Sequence, residues 1–261
     1  MNSHQTLLCS SSDGILTVTM NRPEVFNALN EQMKTELNAV FTTDAAAPDV
    51  RCVVLRGAGD RAFCSGQDLK EHGNASRSLR ESLQKQYNPL ILKIRQLEKP
   101  VIAMINGVAA GAGCSLALAC DMRFMSASAK LIEVFIRIGL VPDSGSHWFL
   151  PRLAGMARAF EYAATGRDIG PEEAERAGLV NAVAQPEALE AETMSLARTL
   201  ASGPTRSIGL IKRTLNQAMI SDLPALLEYE AMMQEIASRT ADHREGIAAF
   251  LEKRKARFTG R

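Results

Sequence analysis

Asn106-Gly107-Val108-Ala109-Ala110-Gly111-Ala112-Gly113-Cys114-Ser115-Leu116 is the stretch on which the reading of this chain turns. It follows the apolar run Val101-Ile102-Ala103-Met104-Ile105, opened by Pro100, and leads into an apolar helix. Small residues at such a junction leave backbone N–H groups open to a ligand. A helix N-terminus adds unpaired donors and a dipole that favours negative charge. A second segment, Arg61-Ala62-Phe63-Cys64-Ser65-Gly66-Gln67-Asp68-Leu69-Lys70, has the same character. It comes after the buried run Arg51-Cys52-Val53-Val54-Leu55-Arg56 and turns tightly at Ser65-Gly66. Taken singly, each segment also fits an ordinary strand-to-helix turn packed with small residues. A phosphate loop fits less well. Gly111-Ala112-Gly113 lacks the third glycine of GxGxxG, and no Gly-Lys-Ser/Thr follows.

Working outward, Gly14-Ile15-Leu16-Thr17-Val18-Thr19-Met20 alternates apolar and polar residues as a strand does, and Asn21-Arg22-Pro23 breaks it. Asn30 suits an N-cap, after which Met33, Leu37, Val40 and Phe41 fall on one helical face. Asp121-Met122-Arg123-Phe124-Met125 reads as a fourth strand. The character changes near Pro142. Helical patterns cover 157–165, 171–177, 187–201, 205–219, 223–238 and 244–255, with 179–184 the remaining strand candidate. The fold class is therefore α/β, with repeated βα crossovers and a helical C-terminal region.

The 261 residues carry a formal net charge of +1, which gives no global electrostatic case for nucleic acid or membrane binding. The opening MNSHQTLLCSSSDG has no basic region followed by an apolar one, so no secretory signal is expected. The most apolar window, 101–120, contains three glycines and an Asn, and no membrane span is expected. Cys9, Cys52, Cys64, Cys114 and Cys120 are odd in number and lack CxxC spacing. They read as reduced cytoplasmic thiols. The four histidines form no HxxxH or HxH pair, and no metal site is expected.

Together, in this order, the segments resemble the crotonase (enoyl-CoA hydratase/isomerase) superfamily over nearly the whole chain. Asn21-Arg22-Pro23 with Asn27-Ala28-Leu29-Asn30 is similar to that family's early element. Phe63-Cys64-Ser65-Gly66-Gln67-Asp68-Leu69 is similar to its first loop, and Lys99-Pro100-Val101-Ile102-Ala103 and Asn106-Gly107-Val108-Ala109 lead into its glycine-rich turn. The run from Glu245-Gly246 to Lys253-Arg254 is similar to its ending. The resemblance implies a spiral core of ββα units over 1–200 and a helical trimerisation region over 201–261, assembled as a homotrimer or hexamer. It implies an acyl-CoA substrate, with CoA part of that substrate and no separate cofactor. The thioester oxyanion would be held by the backbone amides of Gln67 and Ala112. Such a donor is typically worth about 3–4 kcal/mol where charge develops. Phe26, Ala28, Gly66, Asp68, Leu69, Lys70 and Gly111 would line the CoA and thioester path, with Lys255 and Phe258 from the same or a neighbouring subunit. For Lys70 and Lys255 a solvated surface charge is the alternative.

Family hydratases use two glutamates, and the matching positions here are Ser115 and Phe135, which cannot do paired acid–base work. Ser115 fits either water orientation or small-residue packing. Glu133 would match the second glutamate only with a two-residue slip. Asp143, after Pro142, stands where some family isomerases hold their catalytic acid, yet it also fits an N-cap of the following helix. In an apolar pocket beside Phe135 and Trp148 its pKa would rise. Tyr87 fits either the acyl pocket or helix packing. Phe63 to Leu69, Tyr87-Asn88-Pro89-Leu90, Gly139-Leu140-Val141-Pro142-Asp143 and the ending Arg257-Phe258-Thr259-Gly260 are similar to the ring 1,2-epoxyphenylacetyl-CoA isomerase subgroup of phenylacetate degradation. That implies rearrangement of the ring epoxide to an oxepin, and shift of a double bond from the 3-enoyl to the 2-enoyl position. A 2-enoyl-CoA hydratase, a decarboxylase or dehalogenase, and a non-catalytic scaffold or RNA-binding protein are the competing readings.

Overall fold

The computed structural model describes residues 4–72 and 78–261. Residues 1–3, part of the stretch read above for a leader, lie outside the described residues. Among the described residues ten strands fall into two sheets. The larger takes β1 (Leu7–Ser12), β2 (Ile15–Met20), β3 (Cys52–Gly57), β5 (Val101–Ile105), β7 (Met122–Ser126) and β10 (Ala182–Ala184), neighbours in that order. The smaller takes β4 (Ala62–Cys64), β6 (Val108–Ala110), β8 (Leu131–Ile132) and β9 (Asp168–Ile169). Both are parallel except for β1 on β2 and β9 on β8. The pairs β3–β4, β5–β6 and β7–β8 each give one strand to each sheet before the chain turns into helix. This repeat of two strands and a helix winds the core into a spiral.

The helices are α1 (Glu31–Thr42), α2 (Leu69–His72), α3 (Leu79–Ser82), α4 (Asn88–Gln96), α5 (Ala112–Ala119), α6 (Ser146–Ala154) and α7 (Met156–Thr165). They are followed by α8 (Pro171–Arg176), α9 (Leu189–Ser202), α10 (Thr205–Ala218), α11 (Leu223–Ser238) and α12 (Ala241–Leu251). Asn30 caps α1 as its side chain predicts, accepting from Met33 N at 2.8 Å. Met33, Leu37, Val40 and Phe41 then bury the stripe that the spacing marks. The apolar stretch over 101–120 is a strand, a short strand and a helix inside the core. Among the described residues no helix is long and apolar enough to cross a membrane.

A buried ion cluster ties α10 to the core. Lys212 Nζ lies 2.7 Å from Asp121 Oδ2 and also donates to the Ile94 and Lys99 carbonyls. Asp121 accepts in addition from Val101 N and from Arg95. Burial lowers the Lys212 pKa, and the Asp121 charge opposes that shift. Removing one member of such a pair leaves the other charge buried and uncompensated. Asp121→Ala should therefore cost about 3–5 kcal/mol in chemical denaturation, far more than loss of an exposed ion pair.

Candidate active site

Two backbone turns from successive repeats meet at the C-terminal ends of β4 and β6. Gly66 has φ +93° and Gly111 φ +52°, conformations that a side chain strongly disfavours. A Cβ on Gly66 would stand 2.8 Å from the Ala110 carbonyl oxygen and 3.3 Å from Ala112 N. The Gly66 backbone is thus pressed against the start of α5. Leu29 N donates to Gly66 O at 2.7 Å and Asp68 N to Leu29 O at 3.1 Å, so the Gln67 N–H, between them, points away from that pairing. Ala112 is the first residue of α5, where an N–H has no intrahelical acceptor. Neither amide donates to an acceptor among the described residues. The turns therefore present two adjacent donors and no acidic side chain.

The early motif holds this geometry from behind. Asn27 is buried with φ +55°. Its Oδ1 accepts from Arg22 N, and its Nδ2 donates to the Ala58 and Ala62 carbonyls. Arg22 bonds the Ala28 carbonyl at 2.7 Å and the Asp68 carboxylate at 2.9 Å. Asp68 also accepts from the amides of Lys70 and Glu71 at the start of α2. Burial works against ionisation of Asp68, but these bonds, led by Arg22, hold its carboxyl below the usual range. The sequence places Asp68 on the substrate; in the structure it braces the loop instead, its oxygens engaged within the protein. Phe26 is exposed with Arg61 stacked 4.0 Å from its ring centre, and both border a cleft of about 190 Å³. Leu69 and Lys70 are exposed on α2.

Gln67 also has a fixed side chain. Its Oε1 accepts from Tyr87 Oη at 2.5 Å and Lys34 Nζ at 3.1 Å. Burial pushes the Tyr87 phenol well up, and the charges at Cys64, Asp143 and Glu71 push it further. Tyr87 is therefore neither simply packing nor simply acyl pocket. It orients the residue whose amide faces the site. The spacing gives no sign of this bond.

The remaining acid expected at the site is Asp143. It lies in the segment before α6, whose N-cap is Gly145, with no side-chain cap bond. Helix capping, the alternative role that the sequence allows, is thus not what this carboxylate does. Its Oδ1 accepts from Ser144 Oγ at 2.8 Å. Burial raises its pKa, while Ser144 and the His147 charge lower it less. Phe135 is buried with its ring edge toward Gly111. Trp148, expected to help enclose Asp143, is instead 40 % exposed beneath Arg152.

Ser115 corrects a further expectation. It is fully buried, and its hydroxyl contacts Ser146 Oγ and the Gly111 and Asp143 carbonyls, so it does not face a substrate. Lys255 and Phe258 are not brought to the amides either. The Phe258 carbonyl accepts from Arg51, which precedes β3, at the far end of a strand about 20 Å long. Glu133, set aside on spacing, lies fully buried beside Ser146.

The model of the enoyl-CoA hydratase/isomerase family matches residues 10–261, and the chain belongs to that family, of crotonase fold. It is 41 % identical over 259 residues, 98 % of each chain, to a 1,2-epoxyphenylacetyl-CoA isomerase of Escherichia coli strain K12. It is 42 % identical, covering 99 % of this chain and all of the other, to a probable enoyl-CoA hydratase of Rhodobacter capsulatus. The solved enoyl-CoA hydratase of Bacillus anthracis superimposes with a TM-score of 0.94 at 33 % identity, over 98 % of this chain and 100 % of that one. The protein is thus an enzyme of a family acting on acyl-CoA thioesters.

Because the Gly66 contact sets where the Gln67 amide points, Gly66→Ala tests the geometry directly. Turnover of an acyl-CoA substrate should fall roughly a hundredfold, the scale of losing one oxyanion donor. Chemical denaturation should register only about 1–3 kcal/mol of backbone strain.

Proposed function

We propose that this enzyme is a CoA-thioester isomerase in which Asp143 carries a proton between two carbons of the acyl group. The Gln67 and Ala112 amides hold the thioester oxyanion meanwhile. The observation that carries this reading is the Asp143 carboxylate: desolvated, not used as a helix cap, and near a site whose two hydratase positions are Ser115 and Phe135. A proton on a carbon conjugated with the thioester is acidified when the carbonyl oxygen can take up the charge. Asp143 accepts that proton, the electron pair moves into the dienolate, and the carboxylic acid returns the proton at the other carbon. No net charge or atom is gained. A base with a raised pKa removes a carbon-bound proton more readily than an ordinary carboxylate.

The substrates this supports are 1,2-epoxyphenylacetyl-CoA, going to oxepin-CoA, and 3-enoyl-CoA, going to 2-enoyl-CoA. The Escherichia coli relative's name supports the first. CoA enters as part of the substrate, past Phe26, Ala28, Leu69 and Lys70. Lys255 and Phe258 reach the nucleotide only from a neighbouring subunit, in keeping with a homotrimer or hexamer. Exposed Leu223, Leu227, Phe250 and Leu251 on α11 and α12 support such an assembly. Five reduced thiols fit a cytoplasmic enzyme; Cys64, nearest the loop, is pushed by burial up to about 12 and is no nucleophile.

A 2-enoyl-CoA hydratase is the second reading. It is favoured by the Rhodobacter relative's name and by Glu133, a second carboxyl close enough to Asp143 to feel its charge. Incubation in heavy water separates the two. A 3-enoyl-CoA should take up deuterium as its double bond moves, while a 2-enoyl-CoA should gain no water. Rapid hydration of the 2-enoyl substrate would overturn the isomerase reading. Asp143→Asn should reduce turnover at least a thousandfold (on the order of 4 kcal/mol) with CoA binding kept. Wild-type kcat should fall on acidification at a pH above the usual aspartate range, since protonation of Asp143 removes the base.

A further inference from the structure

Behind the Gly111 turn, three buried polar side chains from three elements form a chain. Glu133 follows β8, Ser146 opens α6, and Ser115 lies in the first turn of α5; none is exposed to solvent. Glu133 Oε1 is 3.0 Å from Ser146 Oγ, and Ser146 Oγ is 2.8 Å from Ser115 Oγ. Ser115 Oγ is 3.0 Å from the Asp143 carbonyl and 3.2 Å from that of Gly111. Glu133 Oε2 is buried without a hydrogen-bond partner.

The hydrogens in this chain can be counted, because each hydroxyl has one. Three links need three hydrogens: Glu133 to Ser146, Ser146 to Ser115, and Ser115 to a carbonyl. With Glu133 ionised, two hydroxyl hydrogens must serve all three. Ser146 must then donate to the carboxylate, and Ser115 either turns to Ser146 and abandons the carbonyls or leaves two oxygens facing each other without a proton. With Glu133 neutral, every link has its hydrogen and all point one way.

We propose that Glu133 is a positioning residue that works as a neutral acid: it donates to Ser146, Ser146 to Ser115, and Ser115 to the Asp143 carbonyl, clamping the Asp143 segment to the Gly111 turn. The inference rests on the reading of Asp143 as the base. Burial and the Asp143 charge favour the neutral form, while Ser146 and Cys114 oppose them. Burial is the main influence and pushes its pKa to about 7. Ser146 and the Cys114 thiol of α5 lower it, and the Asp143 charge raises it. Arg123 of β7 acts on Cys114 rather than on this carboxyl. Glu133 thus changes charge near neutrality, and ionisation undoes the clamp.

The test is a pair of pH profiles on the intact enzyme. Hydrogen–deuterium exchange of residues 143–146, corrected for intrinsic rates, should show protection falling about fivefold as pH rises through about 7, the worth of one hydrogen bond. The alkaline limb of kcat should follow it. Glu133→Gln, whose amide donates to Ser146 at every pH, should abolish both steps, so that the ratio of kcat across about pH 6 to 8.5 approaches one. Ser146→Ala, which cuts the chain while keeping the Glu133 carboxyl, should abolish them too and serves if the Gln variant does not fold. A step in protection that persists in either variant overturns the proposal. If the enzyme isomerises no enoyl-CoA, the proposed reaction fails, while the exchange profile still decides the clamp.

Discussion

The site depends on one close approach of backbone to backbone. Gly66, ending one ββα repeat's strand pair, sits where any side chain would collide with the Ala110 carbonyl of the next repeat. That contact exists only because β4 and β6 lie side by side in the smaller sheet while β3 and β5 are neighbours in the larger one. The register of two sheets therefore fixes the separation of two peptide N–H groups. Placing the donors on backbone has a consequence. Their position follows from the fold and not from rotamers, and dipoles held this way need not reorganise to meet a charge.

The rest of the loop serves that arrangement by using up competing polar groups. Arg22 engages Asp68 and the Ala28 carbonyl, Asn27 engages Ala58 and Ala62, and Tyr87 with Lys34 engages the Gln67 side chain. Each of these residues invites assignment as a substrate contact when read in isolation. Each is instead satisfied within the protein, as buried polar groups must be. By contrast, the Asp143 carboxylate has a single serine neighbour and a raised pKa. On the function proposed above, the contrast between spent and unspent groups separates scaffold from chemistry more sharply than residue type does.

This explains what could be read from the chain. Long periodic segments were legible because their burial pattern is local: β2, β3, β5 and β7 as strands, α1 with its Asn30 cap, and α11 over Leu223–Ser238. β4, β6 and β8 are two or three residues each and acquire their pairing only from partners far along the chain. β1 reads Leu-Leu-Cys-Ser-Ser-Ser, an exposed edge with little apolar signal. α6 begins after Ser144 and Gly145, both at positive φ, with no capping side chain to announce it. Glycines mark the two turns, because a turn constrains backbone, whereas the Gln67 and Ala112 amides themselves are singled out by the family resemblance. Asp143 as cap or base was undecidable from sequence, since the two roles differ only in where one side chain points.

Ser115 and Glu133 were harder still, for a reason that bears on how the family's chemistry diverges. A serine where a relative uses glutamate reads as a deletion of function, and a glutamate two residues from the expected place reads as noise. In three dimensions the two lie in one buried chain through Ser146. The carboxyl has not vanished from this region. Glu133 lies buried behind the turn and reaches the Asp143 segment through two hydroxyls. A buried acid without a counter-ion is costly when ionised and cheap when neutral. An acid in that position is therefore suited to donate a hydrogen bond.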